Sequence, residues 1–230
     1  MTTTQFTTLI FVLLTIVSAG HLSLRTDTSN NFLGSAAQFA VLAGSTITGS
    51  GKSNISGSIG VAAGTSITGV INVSGGSIHS GDSVAHRAKR DLKKAYNTLK
   101  GMTGSKNLTG RNLGGMTLAP GVYKFNKSGK LKSGTLTLDG QGNSNAQWIF
   151  QIGTTLLTSY KTNVKMIGGG NPLNVYWQVG SSATIAAGTT MCGNIIAYAS
   201  ITMKTSARLH GRALARIGGV TLISNKINKN

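Results

Sequence analysis

The sequence predicts a mainly β protein in which short strands wind into a parallel solenoid, with one α-helix alongside. Short aliphatic runs recur along the chain and are cut by glycine and serine, a pattern typical of short strands joined by tight turns. The 230 residues include 32 glycines and only 2 prolines, and 40% of the residues are hydrophobic, which is enough for a folded core. One segment differs in kind: residues 83–100 contain neither glycine nor proline and have helical spacing.

Four apolar runs in the C-terminal half indicate a structural repeat. They begin 27, 20 and 18 residues apart and comprise residues 148–152 (WIFQI), 175–179 (VYWQV), 195–199 (IIAYA) and 213–217 (ALARI). After each run come a second short strand and a third, turn-rich piece. Three strands in roughly 20 residues are typical of one coil of a β-helix, and such coils must stack because none can bury its apolar face alone.

The segment 83–100 is predicted to be an amphipathic helix. Asp82 or Ser83 can cap its start, and Gly101 can end it. The opposite face carries a basic cluster, which we interpret as the solvated side of a packed helix. The expected apolar face consists of Val84, Ala88, Leu92, Tyr96 and Leu99, with Ala85 and Ala95 beside them.

The N-terminus has the pattern of a secretion signal. An apolar run at residues 9–17 is followed by the small residues Ser18, Ala19 and Gly20, as a cleavage site requires. The run is too short to span a bilayer comfortably, so no membrane insertion is expected. We therefore expect a signal peptide at residues 1–20, a polar leader at 21–31, a folded domain at 32–227 and an extracellular location.

The charge balance is strongly basic. The chain has 22 Lys and Arg against 4 acidic residues, a net charge of +18. Such a surface suits nucleic acid, an anionic membrane or wall, or an acidic polysaccharide; alternatively, charge of one sign simply keeps the protein soluble. Nucleic acid is disfavoured because no aromatic stacking residues lie near the basic cluster at residues 87–94.

The polar residues do not suggest an enzyme. Glycosidases commonly need two carboxylates, but the acidic residues are far apart in the sequence, and the four histidines lack metal-ligand spacing. The single cysteine, Cys192, excludes an internal disulfide and is interpreted as a buried, inert thiol. We therefore expect no catalytic residue, no metal site and no cofactor.

A threonine recurs at the centre of the second strand of each predicted coil. Since side chains alternate across a strand, flanking aliphatic residues that point inward would place each threonine outward, in a ladder about 4.8 Å apart. Leu157 could take the place of Thr155 in this ladder. The expected ladder contains Thr137, Thr155, Thr184, Thr202 and Thr221, to which Thr46, Thr48, Ser66 and Thr68 can add.

Such a ladder has distinctive hydration. Methyl groups favour a cage of water over themselves, and hydroxyl groups anchor that cage at a fixed repeat. If the repeat approximates an ice lattice, the ordered water can merge with a crystal face. The alternative is that threonine is simply favourable on strand surfaces.

Several stretches, in their order along the chain, resemble the microbial ice-binding proteins of sea-ice algae, fungi and bacteria, the type 1 ice-binding or antifreeze family. The resemblance covers about residues 32–227. The matching stretches are 33–43 (LGSAAQFAVLA), 55–61 (ISGSIGV), 113–123 (LGGMTLAPGVY), 147–152 (QWIFQI), 174–179 (NVYWQV) and 211–215 (GRALA).

The resemblance implies a triangular, right-handed parallel β-helix with the long helix 83–100 packed alongside. It implies adsorption to an ice crystal surface through one flat Thr/Ser/Ala-rich face that mixes N- and C-terminal coils, with thermal hysteresis and inhibition of ice recrystallisation. We expect a monomer. The basic charge departs from the family and leaves open a weak contact with anionic polysaccharide; the alternative function is that of a secreted adhesin-like β-helix binding such a polysaccharide or a cell surface.

Overall fold

The computed structural model describes residues 32–229, so the predicted signal peptide and leader lie outside the described residues. The strands before the helix are β1 (Phe39–Ala43), β2 (Thr46–Ser50), β3 (Ser53–Ser56), β4 (Ser58–Val61), β5 (Ser66–Thr68), β6 (Ile71–Ser74) and β7 (Ile78–Ser80). Helix α1 (Ser83–Gly101) follows. Short 3₁₀ helices lie at Gly34–Gln38 and Pro172–Asn174.

Fifteen further strands follow α1. They are β8 (Lys106–Asn107), β9 (Thr117–Leu118), β10 (Gly121–Phe125), β11 (Gly129–Leu131), β12 (Thr135–Asp139), β13 (Trp148–Ile152), β14 (Leu156–Thr158), β15 (Asn163–Ile167), β16 (Val175–Val179), β17 (Ala183–Ile185), β18 (Thr190–Ala197), β19 (Ile201–Met203), β20 (Arg208–Ala215), β21 (Val220–Ile223) and β22 (Lys226–Asn228). Within residues 32–229, no helix is both long enough and apolar enough to cross a membrane.

The strands form a parallel β-helix with three faces, which confirms the predicted fold. Each coil gives one strand to each face; β10, β11 and β12, for example, make one coil. One face, which no helix covers, is called the open sheet, and its strands have the order β11-β14-β17-β19-β21-β2-β5. The helix-covered face contains β8, β10, β13, β16, β1, β4 and β7. The cationic face contains β9, β12, β15, β22, β3 and β6.

The long strands β18 and β20 run from the cationic face to the helix-covered face. Gly193 and Gly211 are paired where the strands cross this corner, and both have positive φ angles, 102° and 146°. A Cβ atom on Gly211 would lie 2.0 Å from the carbonyl oxygen of Gly193. The corner therefore requires glycine for both its backbone conformation and its space.

The last coil of the chain stacks on the first. Val41 pairs with Ala213, and Ile55 pairs with Ile227, so the N-terminal strands extend the sheets of the C-terminal coils. From β1, which lies inside the stack, the chain winds to one end through β5–β7 and reaches the other end, at β8, after α1.

The strand pairing confirms two of the three repeat spacings predicted from the sequence and contradicts the third. Trp148 pairs with Val175, and Ile195 pairs with Ala213, as the 27- and 18-residue spacings predict. The predicted 20-residue step is wrong, because Ile195 pairs with Trp177 rather than with Val175. The shift of two residues preserves which side chains face inward, so the sequence pattern did not reveal it.

The interior is filled by stacked aromatic and aliphatic side chains. The rings of Phe150 and Trp177 lie 4.0 Å apart between centroids and 9° from parallel, and Tyr123 stacks on Phe150. The indole N–H of Trp177 donates a 2.9 Å hydrogen bond to the carbonyl oxygen of Cys192. Cys192 is buried, as predicted, and this burial raises the pKa of its thiol to about 12, which disfavours the reactive thiolate.

Helix α1 packs its apolar face on the helix-covered face. Asp82 caps the helix by accepting a 2.8 Å hydrogen bond from the Ala85 N–H. Ala85 is buried, whereas Val84 is 37% exposed, so the prediction that Val84 belongs to the buried face is wrong. Gln151 donates from Nε2 to the carbonyl oxygens of Leu99 and Met102, which satisfies carbonyl groups at the C-terminal end of the helix.

Candidate binding surface on the open sheet

The three faces differ in what their outer sides present. The helix-covered face is closed by α1, which buries Tyr176, Leu214 and their neighbours. The cationic face carries Lys165, Arg208 and Lys226 on its strands. The open sheet is the one face with neither a covering helix nor charged residues across its central strands, so it is the candidate for a flat, neutral binding surface.

The first row of outward residues runs across all seven strands of the open sheet. Its five consecutive threonines lie about 4.8 Å apart because the strands pair in register. The inward neighbours Ile47, Ile201 and Val220 are at most 1% exposed, which fixes the outward direction of the threonines. In strand order, the first row is Lys130, Leu157, Thr184, Thr202, Thr221, Thr48 and Thr68.

A second row lies two residues upstream of the first. Thr46 pairs with Ser66. The hydroxyl groups of Ser128 and Thr155 lie 2.7 Å apart, and the Ser200 N–H donates to Ser182 Oγ at 3.3 Å. The second row therefore consists of Ser128, Thr155, Ser182, Ser200, Gly219, Thr46 and Ser66.

The structure brings all eight predicted binding residues to one side of the open sheet. Thr48, Thr68, Thr184, Thr202 and Thr221 lie in the first row. Thr46, Ser66 and Thr155 lie in the second.

The sequence nevertheless placed two threonines wrongly in the ladder. Leu157, not Thr155, pairs with Thr184, so Thr155 lies one row away from its predicted position, just before β14. Thr137 does not lie on the open sheet at all. It belongs to β12, where it pairs with Thr117 and Lys165 on the cationic face. The second strand of that coil is β11, which has Lys130 where a threonine was expected.

Two serines of the second row were not predicted from the sequence to be binding residues. Ser182 and Ser200 each stand two residues before a first-row threonine, in the patterns Ser-Ala-Thr and Ser-Ile-Thr. A hydroxyl residue, an aliphatic residue and a threonine recur at 46–48 and 66–68 as well. That three-residue signal identifies both rows at once, because the first and third residues face the same side of a strand.

The strands of the open sheet are closely packed and regularly paired. At Gly219, a Cβ atom would lie 2.7 Å from Thr46 Oγ1, so this glycine leaves room for the threonine side chain beside it. The seven strands are paired without a register shift. The two rows thus form a lattice of hydroxyl and methyl groups, about 4.8 Å by about 6.6 Å, from strand separation and two-residue rise.

Charge is confined to the margins of this lattice. Lys130 stands at one end of the first row, and Lys204 directly follows the central strand β19, two residues after Thr202 and outside both rows. Leu157 adds an apolar side chain, 37% exposed, between Lys130 and the threonines. The centre of the two rows therefore presents neutral groups alone.

A parallel β-helix with one covering helix and one flat, hydroxyl-bearing sheet defines a β-solenoid built to contact an extended surface. Residues 41–228 match the family described as Ice-binding-like, and the chain belongs to this family. The membership confirms the resemblance found in the sequence.

Relatives support the same assignment. An ice-binding protein of Nostoc sp. (strain HG1) is 46% identical over 205 residues, covering 87% of this chain and 74% of the relative. The crystal structure of an ice-binding protein from an Antarctic biological consortium has a TM-score of 0.81 at 43% identity, covering 85% of this chain and 89% of that one. The ice-binding protein of the Antarctic ascomycete Antarctomyces psychrotrophicus has a TM-score of 0.83 at 35% identity, with 86% and 97% covered.

Proposed function

We propose that this protein adsorbs to ice through the outer side of the open sheet, and thereby produces thermal hysteresis and inhibits ice recrystallisation. One observation carries the proposal: five threonines stand in register on five consecutive strands of the one face that has no covering helix and no charged residue on its central strands. Family membership supports the same conclusion.

The chemistry of the two rows explains how ice is recognised. Each threonine offers a methyl group, which cannot bond water and favours an ordered cage above it. The hydroxyl groups of both rows hold that cage by hydrogen bonds at a fixed spacing. Water ordered over the sheet then joins the growing crystal, and the protein becomes attached where the two lattices meet.

Rigidity favours this adsorption. The strands of the open sheet are held on their inner side by residues such as Ile185, Met203 and Leu222, none of which is exposed. Because the surface is already ordered before binding, little conformational entropy is lost at the ice.

The proposal includes the absence of covalent chemistry. Each of the three aspartates in residues 32–229 accepts a hydrogen bond from a backbone N–H group. The donors are Ala85 for Asp82, Ser35 for Asp91 and Gln141 for Asp139. No group of three or more metal-ligating side chains is found among the described residues. These structural roles support a binding protein. The apolar run at residues 9–17 predicts that this protein is secreted. The proposed binding species is a monomer.

Ice affinity tests the function directly. Purified protein is incubated with a slowly growing ice surface, and the crystal is observed at a few hundredths of a degree below its melting point. The expected result is enrichment of the protein in the ice fraction and a faceted crystal that does not grow in the hysteresis gap. A protein rejected from the ice, with crystals that grow as smooth discs, would contradict the proposal. Moderate salt serves as a control, because adsorption through neutral groups should survive it.

A further inference from the structure

We propose that the β8–β11 end of the solenoid holds a binding site for an anionic polysaccharide, in a cleft lined by Arg111, Lys127, Lys130 and Lys132. The cleft has a volume of about 390 Å³. Its occupant is a chain that carries repeated sulfate or carboxylate groups on sugar rings. The cleft shares Ser128 and Lys130 with one end of the two rows but includes none of the five first-row threonines, and its ligand is not ice.

Backbone contacts tie the two edges of the cleft together. Asn112 forms a parallel bridge with Lys130, and Asn112 Oδ1 accepts hydrogen bonds from the backbone N–H groups of Gly114 (3.2 Å) and Lys132 (2.8 Å). On the other side, the Asn126 N–H donates to Thr109 Oγ1 at 2.9 Å. These bonds fix the backbone from which the four cationic side chains project into solvent.

No carboxylate balances these four charges. The lining residues include no acidic side chain. Within residues 32–229 the ion pairs are His79–Asp82 and Lys94–Asp91, both near α1 and neither involving the cleft. Gathering like charges around one cleft is unfavourable until an anion reduces their repulsion. The cleft is therefore a site of positive potential that favours a ligand with several negative groups.

The remaining lining residues select among polyanions. Thr109, Asn112 and Ser128 present hydroxyl and amide groups, which match the hydroxyl groups of a sugar. The lining contains no aromatic side chain on which a nucleic acid base could stack. It also contains no aliphatic side chain to enter a bilayer, which surface-bound membrane proteins need. The cleft thus fits a charged polysaccharide better than a nucleic acid or a membrane.

The position of the cleft leaves the open sheet free. Lys130 occupies the first position of the first row, and Thr184 follows two strands further on, about 10 Å away at the usual strand separation. A polysaccharide held at this end would tether the protein while its threonine rows still face outward. This consequence rests on the proposed ice binding; the polysaccharide site does not.

Dextran sulfate, with uncharged dextran as the matched probe, tests the site at room temperature and low salt. The cleft variant carries Lys127→Gln, Lys130→Gln and Lys132→Gln. The control variant carries Lys89→Gln, Arg90→Gln and Lys93→Gln on α1, and so loses the same net charge. Calorimetric titration should show that the natural protein binds dextran sulfate and not dextran. The cleft variant should bind about tenfold more weakly, as expected for three exposed charge contacts, and the control variant within about twofold.

Three results would overturn the site. These are no binding by the natural protein, equal losses in both variants, and tighter binding of a DNA duplex than of dextran sulfate. Size-exclusion chromatography shows whether each variant remains folded and unaggregated, since lysines on edge strands also prevent edge pairing. If the cleft variant aggregates, Arg111→Gln alone replaces it and should still weaken binding measurably relative to Arg87→Gln. Thermal hysteresis measured separately on the same proteins distinguishes failure of this site from failure of ice binding.

Discussion

Thr48 of the first coil lies directly in register with Thr221 of the last coil. This pairing joins two short ladders into one, because Thr68 extends the row beyond Thr48, while Thr202 and Thr184 extend it beyond Thr221. Neither part of the chain provides the full row of five threonines by itself. The closing of the solenoid by its own N-terminal coils is therefore what completes the proposed binding surface.

Bulky substitution in the middle of the first row should abolish most of the activity. In Thr202→Tyr and Thr184→Tyr, the ring would stand above the level of the rows and hold the ice surface away from the neighbouring hydroxyl groups. We expect a large fall in thermal hysteresis, with the free energy of unfolding changed by less than about 0.5 kcal/mol, because both residues face outward. Osmometry under a microscope and urea denaturation measure the two quantities.

Thr137→Tyr is the matched control for these variants. It makes the same chemical change on a strand of the cationic face. Its hysteresis should equal that of the natural protein. An equal loss in Thr137→Tyr, or no loss in either first-row variant, would show that the open sheet is not the ice-binding surface.

Leu157→Thr should increase the activity. Leu157 occupies the row position next to Thr184 and is 37% exposed, so a threonine there would make a row of six. We expect a larger hysteresis at equal protein concentration. Leu157→Lys should lower it instead, because a strongly hydrated ammonium group disturbs the ordered water beside Thr184. Hysteresis that rises in the lysine variant would argue against a neutral binding lattice.

The stability of the protein should depend on Asp91 at low pH. Hydrogen bonds from the Ser35 hydroxyl group (2.6 Å) and backbone N–H (3.0 Å) hold the pKa of this carboxyl below its usual value. Because the pKa is lower in the folded state, the stabilisation is complete above about pH 4 and is lost as the pH falls through the lowered value. Asp91→Asn should cost about 1 kcal/mol at pH 7.

Urea denaturation of the natural protein and Asp91→Asn at pH 7, 4 and 2.5 measures this effect. The difference in unfolding free energy should shrink between pH 4 and pH 2.5. Ser35→Ala should show a weaker pH dependence than the natural protein, because it removes the hydroxyl donor that lowers the pKa most. A difference that stays constant over the whole range would exclude a contribution from the ionised form of Asp91.

Gly211→Ala should destabilise the corner between the cationic and helix-covered faces. The new methyl group would meet the Gly193 carbonyl oxygen, and the backbone at φ 146° is unfavourable for alanine. We expect a loss of about 2–4 kcal/mol in thermal or urea unfolding. Gly101→Ala is a suitable control, because a Cβ atom there meets nothing within 4 Å. Equal stability of the two variants would contradict the assigned role of the corner.

Local features of the fold could be predicted from residue spacing along the chain. Residue spacing located α1 to within one residue of its C-terminal end, at Gly101 rather than 100. Alternating aliphatic and hydroxyl residues determined which threonines face outward, because side-chain direction within a strand depends only on its neighbours in sequence. Thr184, Thr202 and Thr221 were also correctly predicted to stand in one row, because each lies at the centre of the second strand of its coil.

The face that each strand joins and the alignment of the coils depend on long-range contacts and could not be predicted from local sequence. Thr137 and Thr202 lie in similar local patterns, yet they stand on different faces, because the number of turns before each strand determines its face. The row contains Leu157 where Thr155 was predicted, and Ile195 pairs two residues away from its predicted partner. Both shifts leave the same side chains facing inward, so local sequence cannot distinguish the predicted register from the observed one. The pairing of Thr48 with Thr221 depends on contacts between the two ends of the folded chain, where stacking of whole coils rather than any local preference sets the register.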